Sequence, residues 1–210
     1  MPTANEVKVT EARQCQIESL KTIVARGFHP VNPYIRKVLP DTPLMRDWWA
    51  ANFTEQLSYP NCKLLTVLDE NSQATVGLLA LRLMAADERG SGSWTTSTLT
   101  PDHNEAGYRP MIDGMTEHRE QTMLGTRHYM IELFCVDHAC KGSGIGGLLI
   151  RKACETADEA QLPTFVQANG SAKDFYCKLG FEEKARVEMP GDVPYSEFML
   201  LRPCRKGTAQ

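Results

Sequence analysis

The sequence predicts a single α/β (α+β) domain, residues 1–210, and three observations predict it. Ile17, Leu20, Ile23 and Val24 recur at helical spacing near the start of the chain. Two apolar strand patterns then flank the turn-rich Asp69-Glu70-Asn71-Ser72-Gln73, as a hairpin requires. Finally, Val136 to Phe181 runs strand, glycine loop, amphipathic helix, strand and short helix.

Taken in order, a short strand is expected near Val7 to Val9 and a helix from about Ala12 to Arg26. A second helix follows Asp41-Thr42-Pro43 and runs towards Leu57. Lys63 to Leu68 and Thr75 to Leu83 form the hairpin. Residues 85–103 are rich in Gly, Ser, Thr and charge, with Trp94 the lone large apolar residue, and read as a mobile surface loop. A helix from about Asn104 to Leu124 carries Met111, Met115, Met123 and Leu124, which suit core packing or a cavity wall. Tyr129 to Val136 is near-continuously apolar, the mark of a strand buried on both faces. Ile145, Leu149, Ala153, Thr156, Ala157 and Ala160 make a helical stripe that ends before Pro163. A strand over Thr164 to Ala168 and a helix over Ala172 to Leu179, stopped by Gly180, come next. Strands near Glu182 to Glu188 and Tyr195 to Leu201, joined through Pro190-Gly191-Asp192, precede a frayed tail at 203–210.

The loop Lys141-Gly142-Ser143-Gly144-Ile145-Gly146-Gly147 has a direct physical reading. Its glycines let the backbone turn tightly and bring N–H groups close to a ligand. A helix beginning near Ile145 adds a positive dipole end, so loop and helix together suit a pyrophosphate. A plain strand-to-helix turn is the alternative. Gly142, Gly144 and Gly147 also satisfy G-x-G-x-x-G, the dinucleotide fingerprint. Five residues separate Val136 from Gly142, however, and the next strand reaches Asn169 where a ribose-binding acid is needed. Too little sequence follows the loop for a doubly wound sheet.

Composition narrows the class. With 210 residues, 42% of them hydrophobic, the chain suffices for one core. A formal charge of -3 offers nucleic acid or anionic membrane no broad attraction, so neither is an expected partner. Seven cysteines without C-x-x-C spacing point to reduced thiols and no metal site. Neither a leader pattern nor a bilayer-spanning run is evident, which leads us to expect a cytoplasmic protein.

Glu132 interrupts the apolar strand. A carboxylate there is costly to bury unless bonded, hydrated or protonated, which nominates it as a functional residue. The competing reading is a structural acid bonded to backbone or to an arginine.

The glycine loop and the later Phe175-Tyr176-Cys177-Lys178-Leu179-Gly180-Phe181 together resemble the acetyl-CoA site of the GNAT superfamily of N-acetyltransferases. The family loop reads Gln or Arg, two residues, Gly, one residue, then Gly or Ala. Here Lys141 stands at the first position and His138 replaces a frequent proline. The resemblance is sharp over about 128–182 and elsewhere extends to the order of elements. It implies a GNAT-like mixed, mostly antiparallel, twisted sheet flanked by helices, with a splayed strand pair at the CoA site. It further implies that the backbone of Phe134, Cys135 and Val136 pairs with pantetheine. Lys141, Gly142, Ser143, Gly144, Ile145, Gly146 and Gly147 would hold the pyrophosphate, and Asn169 would contact the same arm. Lys173 or Lys178 would meet the ribose phosphate, or simply cover a solvated helix face.

The implied reaction is direct acetyl transfer from acetyl-CoA to a small-molecule amine, with no metal. An alkylamine is about 99.9% protonated at neutral pH, so a base is needed. The resemblance places Glu132 where related enzymes keep that base, acting directly or through water, with Met130 in the other such place. It places Tyr176 near the departing sulfur as the acid. Alternatives are acetylation of protein lysines or amino termini, O-acetylation, and a non-catalytic acyl-CoA-binding domain. Trp48, Trp49, Trp94 and the methionine-bearing helix suggest an apolar or aromatic amine, and the chain is expected to be a monomer or homodimer.

Overall fold

The computed structural model describes residues 7–69, 72–90, 98–189 and 193–205. Seven strands form one sheet in the order β1-β2-β3-β4-β5-β7-β6. They are β1 (Val9–Glu11), β2 (Cys62–Leu68), β3 (Thr75–Met84), β4 (His128–Val136), β5 (Thr164–Asn169), β6 (Glu182–Met189) and β7 (Tyr195–Arg202). All neighbours are antiparallel except β4 and β5. A mixed, mostly antiparallel sheet is therefore what the chain builds.

The helices are α1 (Ile17–Leu20), α2 (Ile23–Phe28), α3 (Pro33–Val38), α4 (Pro43–Gln56), α5 (Glu105–Met123), α6 (Ile145–Glu159) and α7 (Gly170–Cys177). Alternating strand residues explain the two covered faces. Leu64, Leu78, Ala80 and Cys135 pack with Leu20, Ile23, Trp49, Phe53 and Met111 from α1, α2, α4 and α5. Leu65, Leu79, Leu81 and Val166 pack with Ile145, Leu149, Ala153 and Tyr176 from α6 and α7. Because both faces are buried, β3 is apolar over most of its length, with Arg82 its one charged residue.

Two features of β4 shape the site. Ala80 of β3 pairs with Leu133 and Leu81 with Ile131, so Glu132 is the extra residue of a β-bulge. On its other side β4 pairs with β5 only from Tyr129–Thr164 to Ile131–Val166. Beyond Ile131 the two strands part, and β5 continues to Asn169 against β7.

Several boundaries differ from the sequence expectation. The first strand is Val9–Glu11, two residues later than expected. The helix expected over 12–26 is a 3-10 turn, Gln14–Gln16, followed by α1 and α2 with a break at Lys21-Thr22. Arg13 is extended and its N–H is taken by the Gln16 side chain, which delays the helix start. The four apolar residues that predicted it are all buried nonetheless. Helix α3 was not expected; Asn32 caps it by accepting from the Ile35 N–H, and Pro33 occupies its first position. The same signals, Thr42 and Pro43, start α4 where expected. In the α6 stripe Thr156 is half-buried and Ala160 exposed, while Ile150 and Cys154 are buried instead. On α5, Leu124 is exposed just past the end.

The expected mobile loop is tethered at its described flanks. Gly90 N–H donates to Glu120, and buried Arg119 donates to the Glu88 and Gly90 carbonyls. Residues 91–97, with Trp94, lie outside the described residues, as do 190–192 of the expected last turn and 206–210 of the expected tail.

Candidate active site

The parting of β4 and β5 opens into a cavity of about 270 Å³. Ile131 to Val136 form one wall, Val166 to Asn169 the facing wall, and Trp49, Tyr108, Met111 and Met115 reach in from the helices. Phe134, Cys135 and Val136 pair with Leu79, Leu78 and Gly77 on the β3 side, so their β5 side faces the opening. The Cys135 thiol is buried, and desolvation raises its pKa.

Next to this opening stands the glycine loop. Asp137 caps a 3-10 turn at His138–Cys140 and is itself held by an ion pair with Arg26. Arg26 also donates to the Thr75 carbonyl, at 2.7 Å, tying α2 to the end of β3. Gly142 and Gly144 then adopt φ of +83° and +85°, which disfavours any side chain. Gly144 caps α6 with no side-chain hydrogen bond. The N–H groups of Ile145, Gly146 and Gly147 lie in the first turn, where a helix supplies no partners of its own. Open donors at a dipole's positive end are what a phosphate ester needs. A Cβ on Gly146 would stand 3.1 Å from the Phe134 ring and 3.4 Å from the Phe175 ring, so glycine lets α6 approach β4. A Cβ on Gly147 would lie 3.0 Å from the Arg151 guanidinium, which places a cation beside this turn that sequence reasoning did not nominate. Lys141 and Ser143 complete the loop, Lys141 being exposed.

Tyr176 lines the cavity, 2% exposed, among Phe134, Phe175 and Phe181 with ring centroids 5.2–6.0 Å away. Burial raises its pKa, so the phenol keeps its proton. Among the described residues its phenol makes no hydrogen bond to main chain. Asn169 also lines the cavity, and its side-chain oxygen caps α7 by accepting from the Ala172 N–H at 3.1 Å.

Glu132 is in the wall too, its side chain 1% exposed and 2.7 Å from Arg82 Nε. Arg82 in turn lies over the Tyr59 ring. The bulge carries both the acid and its partner's register shift, so this pair and the strand's irregularity are one feature. Met130, on the same strand, packs in a separate cluster with Met84, Met123, Phe165 and Met199. Lys173 is tied to Glu183 and lies over the Phe198 ring, and Lys178 is exposed.

Sequence reasoning missed Glu197. It sits on β7 opposite Asn169, lines the cavity, and is 1% exposed. Desolvation pushes its carboxyl up to about 8. The signal available was the one that singled out Glu132: an acid inside an apolar strand, Tyr-Ser-Glu-Phe-Met-Leu-Leu.

No group of His, Cys, Asp and Glu able to hold a metal occurs among the described residues. No helix among them is long and apolar enough to cross a membrane.

Comparison with known proteins matches residues 109–191 to the acetyltransferase (GNAT) domain family. A curated relative, an uncharacterized N-acetyltransferase of Schizosaccharomyces pombe, is 42% identical over 52 residues, which are 25% of this chain. That alignment spans only 22% of the relative's length. Among solved structures, arylalkylamine N-acetyltransferase 2 from Aedes aegypti superposes with a TM-score of 0.66 at 12% identity, over 96% of this chain and 100% of that one. Arabidopsis thaliana NAA60, solved with a bisubstrate analogue, gives 0.61 at 10% identity over 96% and 99%. A protein from Corynebacterium glutamicum described as histone acetyltransferase HPA2 and related acetyltransferase gives 0.59 at 15% identity over 97% and 99%. The family match falls on the glycine loop and the parted strands, and the fold is shared with these acetyltransferase structures over nearly the whole chain.

Proposed function

We propose that this protein moves an acetyl group from acetyl-CoA directly to the amine of a small molecule, with Glu132 as base and Tyr176 as acid. The observation that carries the reading is the opening between β4 and β5, whose cavity bears both residues and whose Phe134 and Val136 lie against Gly146 in the first turn of α6. The residues present fit the cofactor: first-turn N–H groups and Arg151 suit the pyrophosphate, and the free edge at Phe134 to Val136 suits an extended amide-bearing arm. Bound acetyl-CoA supplies the thioester, whose acetyl group passes to nitrogen as the carbon–sulfur bond breaks. Glu132 accepts the proton the amine must lose, through a water bridging its buried carboxylate, which the Arg82 pair holds in one place. Tyr176, protonated by its burial, donates to the departing thiolate. The walls exclude water and hold the amine in line, which supplies much of the remaining acceleration.

The aromatic and methionine lining favours a small apolar or aromatic amine over an extended peptide. Likeness to an arylalkylamine enzyme agrees with this, and likeness to NAA60 keeps a protein amino terminus as the second reading. The seven cysteines are free, which suits the cytoplasm.

Tyr176→Phe is expected to slow single-turnover acetyl transfer about 10²-fold or more while acetyl-CoA binding is retained. Equal single-turnover rates for the two proteins would end the acid role. Release of free thiol from acetyl-CoA, stimulated by added amine, reports the overall reaction; release that no amine stimulates would contradict transfer.

A further inference from the structure

We infer that Glu197, with the stacked rings of Tyr34 and Tyr195, is the anchor for a cationic group of the acceptor, making protonated alkylamines the acceptor class. The inference rests on the acetyl-transfer reading of the same cavity. Two acids stand in the cavity wall, and their surroundings differ. Glu132 already has the Arg82 guanidinium at 2.7 Å. Glu197 has no ion pair among the described residues, and its buried Oε2 has no hydrogen-bond partner. An unpartnered buried carboxyl is costly, and a ligand N–H aimed at it removes that cost. Tyr195, two residues away on β7, also lines the cavity, and Tyr34 of α3 stacks on it with centroids 4.5 Å apart. An ammonium beside such rings gains further from their negative faces.

The groups that face Glu197 supply no competing cation. Tyr34 and Tyr195 are phenols whose own pKa values rise chiefly through burial and then through the Glu197 charge. β5 carries no charged side chain, and α5 presents Tyr108, Met111 and Met115 to the cavity. On β6, Val187 pairs with Glu197 in the sheet, while the flanking Arg186 and Glu188 are exposed and pair with each other. Glu132 and the neutral Tyr176 complete the ionisable lining, with Cys135 kept as a thiol by burial. With its carboxyl pushed up to about 8, Glu197 is largely neutral below that pH and ionised above it. Alkylamines stay protonated to about pH 10. Anchoring therefore strengthens as pH rises through about 8.

The test compares wild type with Glu197→Gln, using 2-phenylethylamine and 1,4-diaminobutane as protonated probes and aniline as a neutral one. Expected for the variant is a KM for the protonated probes at least tenfold higher, with aniline turnover changed less than twofold and acetyl-CoA binding unchanged. An unchanged KM with transfer intact would overturn the anchor and leave acetyl transfer standing, and an equal loss for all three probes would make Glu197 structural. Binding of the amines to the enzyme alone, read as a rise in melting temperature above pH 8 that Glu197→Gln abolishes, supports the anchor even if no acetylated product forms. No shift with either protonated probe in wild type would contradict it. Stability gives an independent readout. A carboxyl whose pKa rises on folding from 4.5 to about 8 contributes stability below pH 4.5 that is lost as pH climbs through 8. Glu197→Gln should therefore melt higher than wild type above pH 8 and not at pH 4, whereas a pH-independent difference would contradict an unpaired buried carboxyl.

Discussion

Gly144→Val is expected to weaken acetyl-CoA binding at least 100-fold while leaving a folded protein. At φ +85° a β-branched residue is strained by about 1–3 kcal/mol, and Gly144 is the residue from which α6 starts. The chain escapes the strain by rotating the turn, which moves the Ile145, Gly146 and Gly147 N–H groups away from a common focus. Displaced donors lose both their hydrogen bonds and their alignment with the helix dipole. Gly142→Ala makes a graded companion. Its φ is +83°, but nothing lies within 4 Å of the added Cβ, so strain acts there without a clash and the loss should be smaller. Calorimetric titration with acetyl-CoA reads both variants, and wild-type affinity in Gly144→Val would refute the loop as the cofactor cradle.

Glu132→Gln is expected to lower turnover of an alkylamine by about 10² to 10⁴ at neutral pH. The deficit should shrink as pH rises, because the free-amine fraction grows about tenfold per unit below the amine's pKa and the base matters less. The substitution also strands Arg82, 7% exposed, without its full charge partner, which destabilises the fold. The two effects separate cleanly. Lost stability lowers the melting temperature and the amount of active enzyme at every pH, whereas lost base strength tilts the pH profile. A rate deficit constant across pH, with acetyl-CoA affinity intact, would assign Glu132 to the Arg82 pair alone.

The parts of this molecule that sequence reveals are those where local chemistry and tertiary demand coincide. Thr42-Pro43 starts α4, Gly180 at φ +92° stops the turn after α7, and the glycine loop lies between a buried strand and an amphipathic helix as its composition demands. The missed helix α3 bears an Asn32-Pro33 start like the Thr42-Pro43 start of α4, but its six residues give too little apolar periodicity to register. The break at Lys21-Thr22 leaves the buried face unchanged, so periodicity alone cannot see it. In the site, the glycine loop and the helix it starts are local in sequence and therefore legible. The rest of the cavity wall is assembled from α3, α4, α5 and β7, which lie far apart in the chain, and Glu197 joins it only when β7 is laid against β5. Pairing of Glu132 with Arg82 depends likewise on the bulge, a register shift between β3 and β4 that neither strand's pattern encodes.

Incubating the purified protein with acetyl-CoA and a panel of aryl-alkylamines, polyamines, amino acids and lysine peptides, with products read by mass spectrometry, tests acetyl transfer most directly. The expected result is a mass gain of one acetyl group on a small protonated amine, lost in Gly144→Val. Acetylation confined to peptides would contradict the small-amine reading, and an absence of product together with an absence of acetyl-CoA binding would contradict the account as a whole.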